Sequence, residues 1–131
     1  MSTRIQIFAI LLISLFVLTG CGSGDTGTIT GKVTYKGSPV SSGSINFMMP
    51  ETGSAAQADL NKNGEFTLST PLKTGTYKVY FLPPPAEQLP PGQMSKPNEF
   101  VVPKLYQDVG TTTITKEITS GANKLSIEIP H

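Results

Sequence analysis

From Thr28 onward, apolar and polar residues alternate with a period of two, in short runs separated by turn-forming residues. Thr28 to Tyr35 sets Ile29, Gly31, Val33 and Tyr35 on one side and Thr28, Thr30, Lys32 and Thr34 on the other. That is the pattern of a strand with one buried face. Ser44 to Met49 repeats it with Ile45, Phe47 and Met49 inward, and Ala55 to Leu60 with Ala56, Ala58 and Leu60 inward. Glu65 to Ser69 turns Phe66 and Leu68 to the core. Thr76 to Leu82 is apolar on both faces, with Tyr77, Val79 and Phe81 on one and Tyr80 and Leu82 on the other. This predicts a central strand or one covered by a loop.

Two more strands are predicted at Thr113 to Thr119, with Ile114 and Ile118 inward, and at Lys124 to Ile129, with Leu125, Ile127 and Ile129 inward. Lys116 shares the inward face of the first of these, a device that protects edge strands from pairing with other chains.

Turn chemistry falls between the runs. Lys36-Gly37-Ser38-Pro39, Pro71 to Gly75 and Ser120-Gly121-Ala122-Asn123 each break the alternation. Asn61-Lys62-Asn63-Gly64 predicts a tight hairpin, because Asn-Gly supplies the positive φ that a primed turn requires. Seven short strands with close turns and no helical period predict an all-β fold, a seven-stranded antiparallel β-sandwich over residues 28–131. About 20 inward apolar side chains suffice for such a core.

Residues 83–109 interrupt the rhythm, and seven of the 11 prolines lie between Pro83 and Pro103. Extended chain with little ladder pairing is expected there. So long a connection either carries function or covers a sheet edge. Leu89, Met94, Phe100, Val101, Leu105 and Tyr106 could cradle a partner or a glycan. The preferred reading packs Phe100 to Val102 and Tyr106 onto the sandwich.

The N-terminal pattern is different. Ile7 to Leu18 is apolar throughout except for Ser14, and Arg4 precedes it. A spanning helix needs roughly 20 apolar residues, so the run fits a signal-peptide core better, and the uncharged Gly22-Ser23-Gly24 does not stop translocation. The run closes on Leu18-Thr19-Gly20-Cys21, which contains the only cysteine. This resembles the bacterial lipobox, in which cysteine follows an aliphatic residue and two small ones. The resemblance implies cleavage between Gly20 and Cys21, diacylglycerol on the Cys21 thiol and acylation of the new amine. A thiolate is the good nucleophile such a transfer needs, and two or three acyl chains hold a protein durably without a spanning helix. A lone cysteine has no internal disulfide partner, so an exported chain asks for another use of it. Residues 1–20 then form the signal peptide, and 21–27 the lipidated end and a flexible tether of small residues.

Composition narrows the partners. Beyond Arg4 every basic residue is lysine, and after removal of residues 1–20 these balance the nine acidic residues. The chain lacks the basic stripe and arginine forks of a nucleic-acid surface. The 13 glycines and 11 prolines suit strands and turns rather than helices.

Gly31-Lys32-Val33-Thr34-Tyr35-Lys36-Gly37-Ser38-Pro39-Val40, followed by Gly43-Ser44-Ile45-Asn46-Phe47, resembles the opening of small carboxypeptidase regulatory-like (transthyretin-like) lipoproteins of planctomycete-type bacteria. The likeness continues through Asp59 to Phe66, Gly75-Thr76-Tyr77-Lys78-Val79 and Pro103-Lys104-Leu105-Tyr106. It ends with Ile114 to Ile118 and Gly121 to Leu125. It implies a prealbumin-like or Ig-like sandwich and no established activity.

Chemistry finds little footing. Asp59-Leu60-Asn61-Lys62-Asn63-Gly64 matches half of a calcium loop, but the twelfth position is Thr70 rather than a bidentate glutamate, and a turn accounts for every residue. His131, the single histidine, has no second ligand type clustered with it. No serine has a histidine partner within the fold, as nucleophilic catalysis would need, and Asp59 and Glu65 read as solvated charges flanking a turn. No cofactor and no metal site is expected, and a non-enzymatic protein is the expectation. The partners expected are the membrane, through the lipid, and an envelope protein or glycan met by Tyr80, Leu89, Met94, Phe100 and Tyr106. Tyr80 and Tyr106 are the aromatic platforms a sugar would use. Gly22 after the cysteine, where an aspartate would retain the protein at the inner membrane, favours the outer membrane.

Overall fold

The computed structural model describes residues 25–94 and 100–131. The expected signal peptide, the expected cleavage site at Gly20 and Cys21, the first part of the expected tether and residues 95–99 of the proline-rich segment lie outside these. The chain folds around β1 (Thr26–Tyr35), the longest strand. It is followed by β2 (Ser38–Pro39), β3 (Ser44–Met49), β4 (Ser54–Asp59), β5 (Glu65–Thr67), β6 (Leu72–Lys73) and β7 (Gly75–Leu82). A 3-10 turn at Lys104–Tyr106 precedes β8 (Thr115–Ile118) and β9 (Gly121–Ile129).

Two sheets form an all-β sandwich. In the first, β9 lies along one side of β1, while β6, β5 and β2 take successive stretches of its other side. The second runs β4-β3-β7-β8 and is antiparallel throughout. The strands expected from alternation are present, together with the two-residue β2 and β6. The central placement expected for the strand at 76–82 is also found, since β7 lies between β3 and β8.

One pairing departs from the antiparallel expectation. β1 and β9 run parallel, in register from Gly27↔Gly121 to Tyr35↔Ile129. A parallel pair needs a long crossover, which the whole intervening chain supplies here. The tether is also shorter than expected. Thr26 and Gly27 already pair with Lys73 and Leu72, and the Thr74 N–H donates to the Asp25 carbonyl at 2.9 Å.

The core sits between the sheets. Ile29, Val33, Phe66, Leu72, Ile127 and Ile129 from the first sheet meet Ile45, Phe47, Tyr77, Val79, Phe81 and Ile118 from the second. The Phe47 and Phe66 rings approach to 5.9 Å between centroids at 44° and tie the layers together. Burying each such side chain contributes about 1.5–3 kcal/mol.

The turn at 61–64 differs from a primed hairpin. It carries the chain from β4 in one sheet to β5 in the other, so the flanking strands are not ladder partners. Only Gly64 has positive φ, at 73°, and the Gly64 N–H donates to the Asn61 carbonyl at 2.9 Å. The primed geometry appears instead at Lys36-Gly37, with φ of 51° and 79°, between Tyr35 and Ser38 of the β1–β2 pair.

Candidate functional site

Tyr80, Leu89, Met94, Phe100 and Tyr106 do not form one surface. Tyr106 is 7% exposed and belongs to the core, so it offers no face to a sugar or a protein. This corrects its reading as an aromatic platform. Phe100 is half-buried against the same core, its ring over Gly43. Tyr80 is half-buried on the outer face of the second sheet, in register with Asn46 of β3. Leu89 is half-buried and Met94 almost wholly solvated at 97% exposure.

The later part of the proline-rich segment and the residues after it are bound to β7. Pairing of β8 with β7 runs from Gly75↔Ile118 to Lys78↔Thr115. Beyond that point the covering chain takes over. The Val79 N–H donates to the Ile114 carbonyl at 2.9 Å, and the Thr112 hydroxyl donates to the Val79 carbonyl at 2.6 Å. Lys78 Nζ reaches the Val109 carbonyl at 3.3 Å, and Val102 is 2% exposed beneath the segment. Within the cover, Gln107 Nε2 donates to the Val102 carbonyl at 2.7 Å and the Thr111 hydroxyl to the Leu105 carbonyl at 2.8 Å. Val101 and Leu105 remain outside, 57% and 49% exposed, so the segment alternates between buried and solvated residues.

The turn that resembles half a calcium loop uses its own oxygens. Asn61 Oδ1 accepts the N–H groups of Asn63 and Glu65, both at 2.9 Å, and Asn61 Nδ2 donates to Glu65 at 3.2 Å. Asp59 ends β4 and Glu65 begins β5, in different sheets and both exposed. Among the described residues no group of three or more His, Cys, Asp or Glu side chains could hold a metal ion. His131 is exposed.

Alternation did not single out a groove of about 630 Å³ that crosses β5, β1 and β9 at Gly31. Its walls are the exposed side chains of Thr30, Lys32, Glu65, Thr67, Lys124 and Ser126, and its floor is Gly31, Phe66 and Leu125. Gly31 pairs with Phe66 on one side and Leu125 on the other. Its own signal was a glycine inside a strand, which marks close approach of a neighbour. The walls can donate and accept hydrogen bonds, but they hold no cysteine or histidine and no nucleophile–base pair.

No family model matches the chain, and no curated protein matches it. Among solved structures it is similar to a DUF3823 family protein from Parabacteroides merdae ATCC 43184, with 13% identity and a TM-score of 0.45. The similarity covers 81% of this chain and spans just under half of the other, 46%.

Proposed function

We propose that this is a lipid-anchored protein of the bacterial envelope that presents a non-catalytic β-sandwich in a structural or protein-interaction role. One observation carries it: the single cysteine, Cys21, stands directly after Leu18-Thr19-Gly20 at the end of an apolar run too short to span a bilayer. The anchor would be acyl chains on Cys21, in the outer rather than the inner membrane. The resemblance to carboxypeptidase regulatory-like lipoproteins supports the same reading.

The groove at Gly31 is walled by threonine, serine, lysine and one glutamate, side chains that can hydrogen-bond a protein partner. The glycan reading loses one of its two platforms because Tyr106 is in the core.

Mass spectrometry of the protein from a bacterial host with lipoprotein processing tests the anchor. The expected N-terminus is Cys21 carrying diacylglycerol, and the protein partitions into detergent. Cys21→Ser should abolish the modification and leave the chain uncleaved after Gly20. An unmodified Cys21 in a detergent-excluded protein would sink the proposal.

A further inference from the structure

The edges of the two sheets are not equally protected. β8 is four residues long and turns Lys116 inward. β4 lies against β5 and β6 of the facing sheet, and β2, β5 and β6 are two or three residues long. β9 is different. It runs nine residues, from Gly121 to Ile129, and among the described residues it pairs with β1 alone. Its inward residues, Asn123, Leu125, Ile127 and Ile129, include no charge, and no proline interrupts it. Long, flat, unguarded edges are templates for another strand.

The backbone fixes which residues face outward along that edge. The N–H and C=O of one residue point to the same side of a strand, and neighbours alternate. The Leu125 carbonyl lies against Gly31 of β1, 2.4 Å from where a Cβ on that glycine would sit. Lys124, Ser126 and Glu128 therefore turn their N–H and C=O groups to the free side. Their side chains are exposed on the outer face.

We infer that β9 is a self-association edge, which pairs antiparallel with β9 of a second copy about a two-fold axis at Ser126. Charge complementarity selects the occupant and the register. Centred on Ser126, the pairing sets Lys124 opposite Glu128 of the second copy, twice, and each facing pair exchanges both ladder hydrogen bonds. Centred on Lys124 or Glu128, it would oppose like charges. On the inner side, half-buried Leu125 would face Ile127 of the second copy. The two first sheets then join into one continuous sheet. This holds whether or not Cys21 is acylated.

The test is sedimentation equilibrium of the full chain in detergent of matched density, with circular dichroism to confirm folding. The wild type should associate reversibly to a dimer. Lys124→Glu and Glu128→Lys should each weaken it about tenfold or more, since attraction becomes repulsion at two symmetric sites. The double swap should restore it. Ser126→Pro removes an outward N–H that β1 does not use, and should abolish the dimer while the fold persists. A wild type that stays monomeric at every concentration overturns the inference. So does a dimer that the single swaps leave unchanged, or that the double swap fails to restore.

Discussion

The carboxamide of Asn123 closes on the backbone of Thr119. Asn123 Oδ1 accepts the Thr119 N–H at 3.0 Å, while Asn123 Nδ2 donates to the Thr119 carbonyl at 2.8 Å. The same oxygen accepts the Thr119 hydroxyl at 3.1 Å, and the same nitrogen reaches the carbonyls of Thr28 at 3.3 Å and Gly121 at 3.2 Å. One side chain, 9% exposed, thereby joins the β8–β9 turn to β1 at the start of the parallel pair.

Replacing Asn123 should therefore cost more than an ordinary turn substitution. Asn123→Ala removes these part-buried hydrogen bonds, each worth about 0.5–1.5 kcal/mol, a loss readable as a lower urea midpoint. Asn123→Asp directs a carboxylate at three carbonyl oxygens. The native state then favours the protonated acid and its pKa rises above the unfolded value. Because the folded form binds more protons, stability falls as pH rises through that range and recovers on acidification. Urea midpoints of Asn123→Asp that are flat from acid to neutral pH would contradict this account.

Gly31 is the second sensitive point. A Cβ there would lie 2.4 Å from the Leu125 carbonyl oxygen and 2.8 Å and 2.9 Å from ring atoms of Phe66. Gly31→Ala should destabilise by about 1–3 kcal/mol, as overpacking does. Phe66→Leu should not restore it, because the shorter contact is to backbone that cannot turn away. Thermal melts of the single and double variants decide between backbone and ring as the obstacle.

Alternation made the strands and most of the core legible, because one-sided burial forces a period of two whatever the partner's direction. For the same reason it could not reveal that β1 and β9 run parallel. Asn123 was hidden by its chemistry. Asparagine after Ser120-Gly121 reads as a turn residue, yet its side chain turns inward because it satisfies the turn's own backbone groups. Tyr106 packs onto the sandwich as preferred, and only its alternative use as a platform fails, because an aromatic on a proline-rich connection carries no period to say which way it faces. The groove at Gly31 arises from three strands distant in sequence, so only its glycine was visible beforehand.

The β1–β2 turn offers a gain in stability. Lys36 holds φ at 51°, and a residue with a Cβ pays about 1–2 kcal/mol for the left-handed conformation, less for asparagine. Lys36 Nζ also lies 5.3 Å from the Tyr35 ring centroid, a contact worth about 0.5–1 kcal/mol at an exposed site. Lys36→Asn gives up the second term and recovers part of the first, so it should be neutral to mildly stabilising. Lys36→Val, β-branched at the same φ, should be clearly destabilising. Urea titrations of the two variants should separate in that order, and the reverse order would mean that the cation contact outweighs the backbone.

Thr112 fastens the covering segment to β7. Its hydroxyl donates to the Val79 carbonyl at 2.6 Å and accepts the Ile114 N–H at 3.2 Å, in a buried site. Thr112→Val keeps the shape, removes the hydroxyl and leaves both backbone groups short of a partner, at about 1–3 kcal/mol. The loss should be local as well as global. The Ile114 amide should lose hydrogen-exchange protection, and cleavage by a protease should rise around residues 100–112, while the amides of β1 and β9 keep their relative order. Thr112→Ser retains the hydroxyl and should hold the segment close to its wild-type protection. If Thr112→Val left exchange at Ile114 unchanged, Val102 and Tyr106 would be sufficient to hold the cover by packing alone.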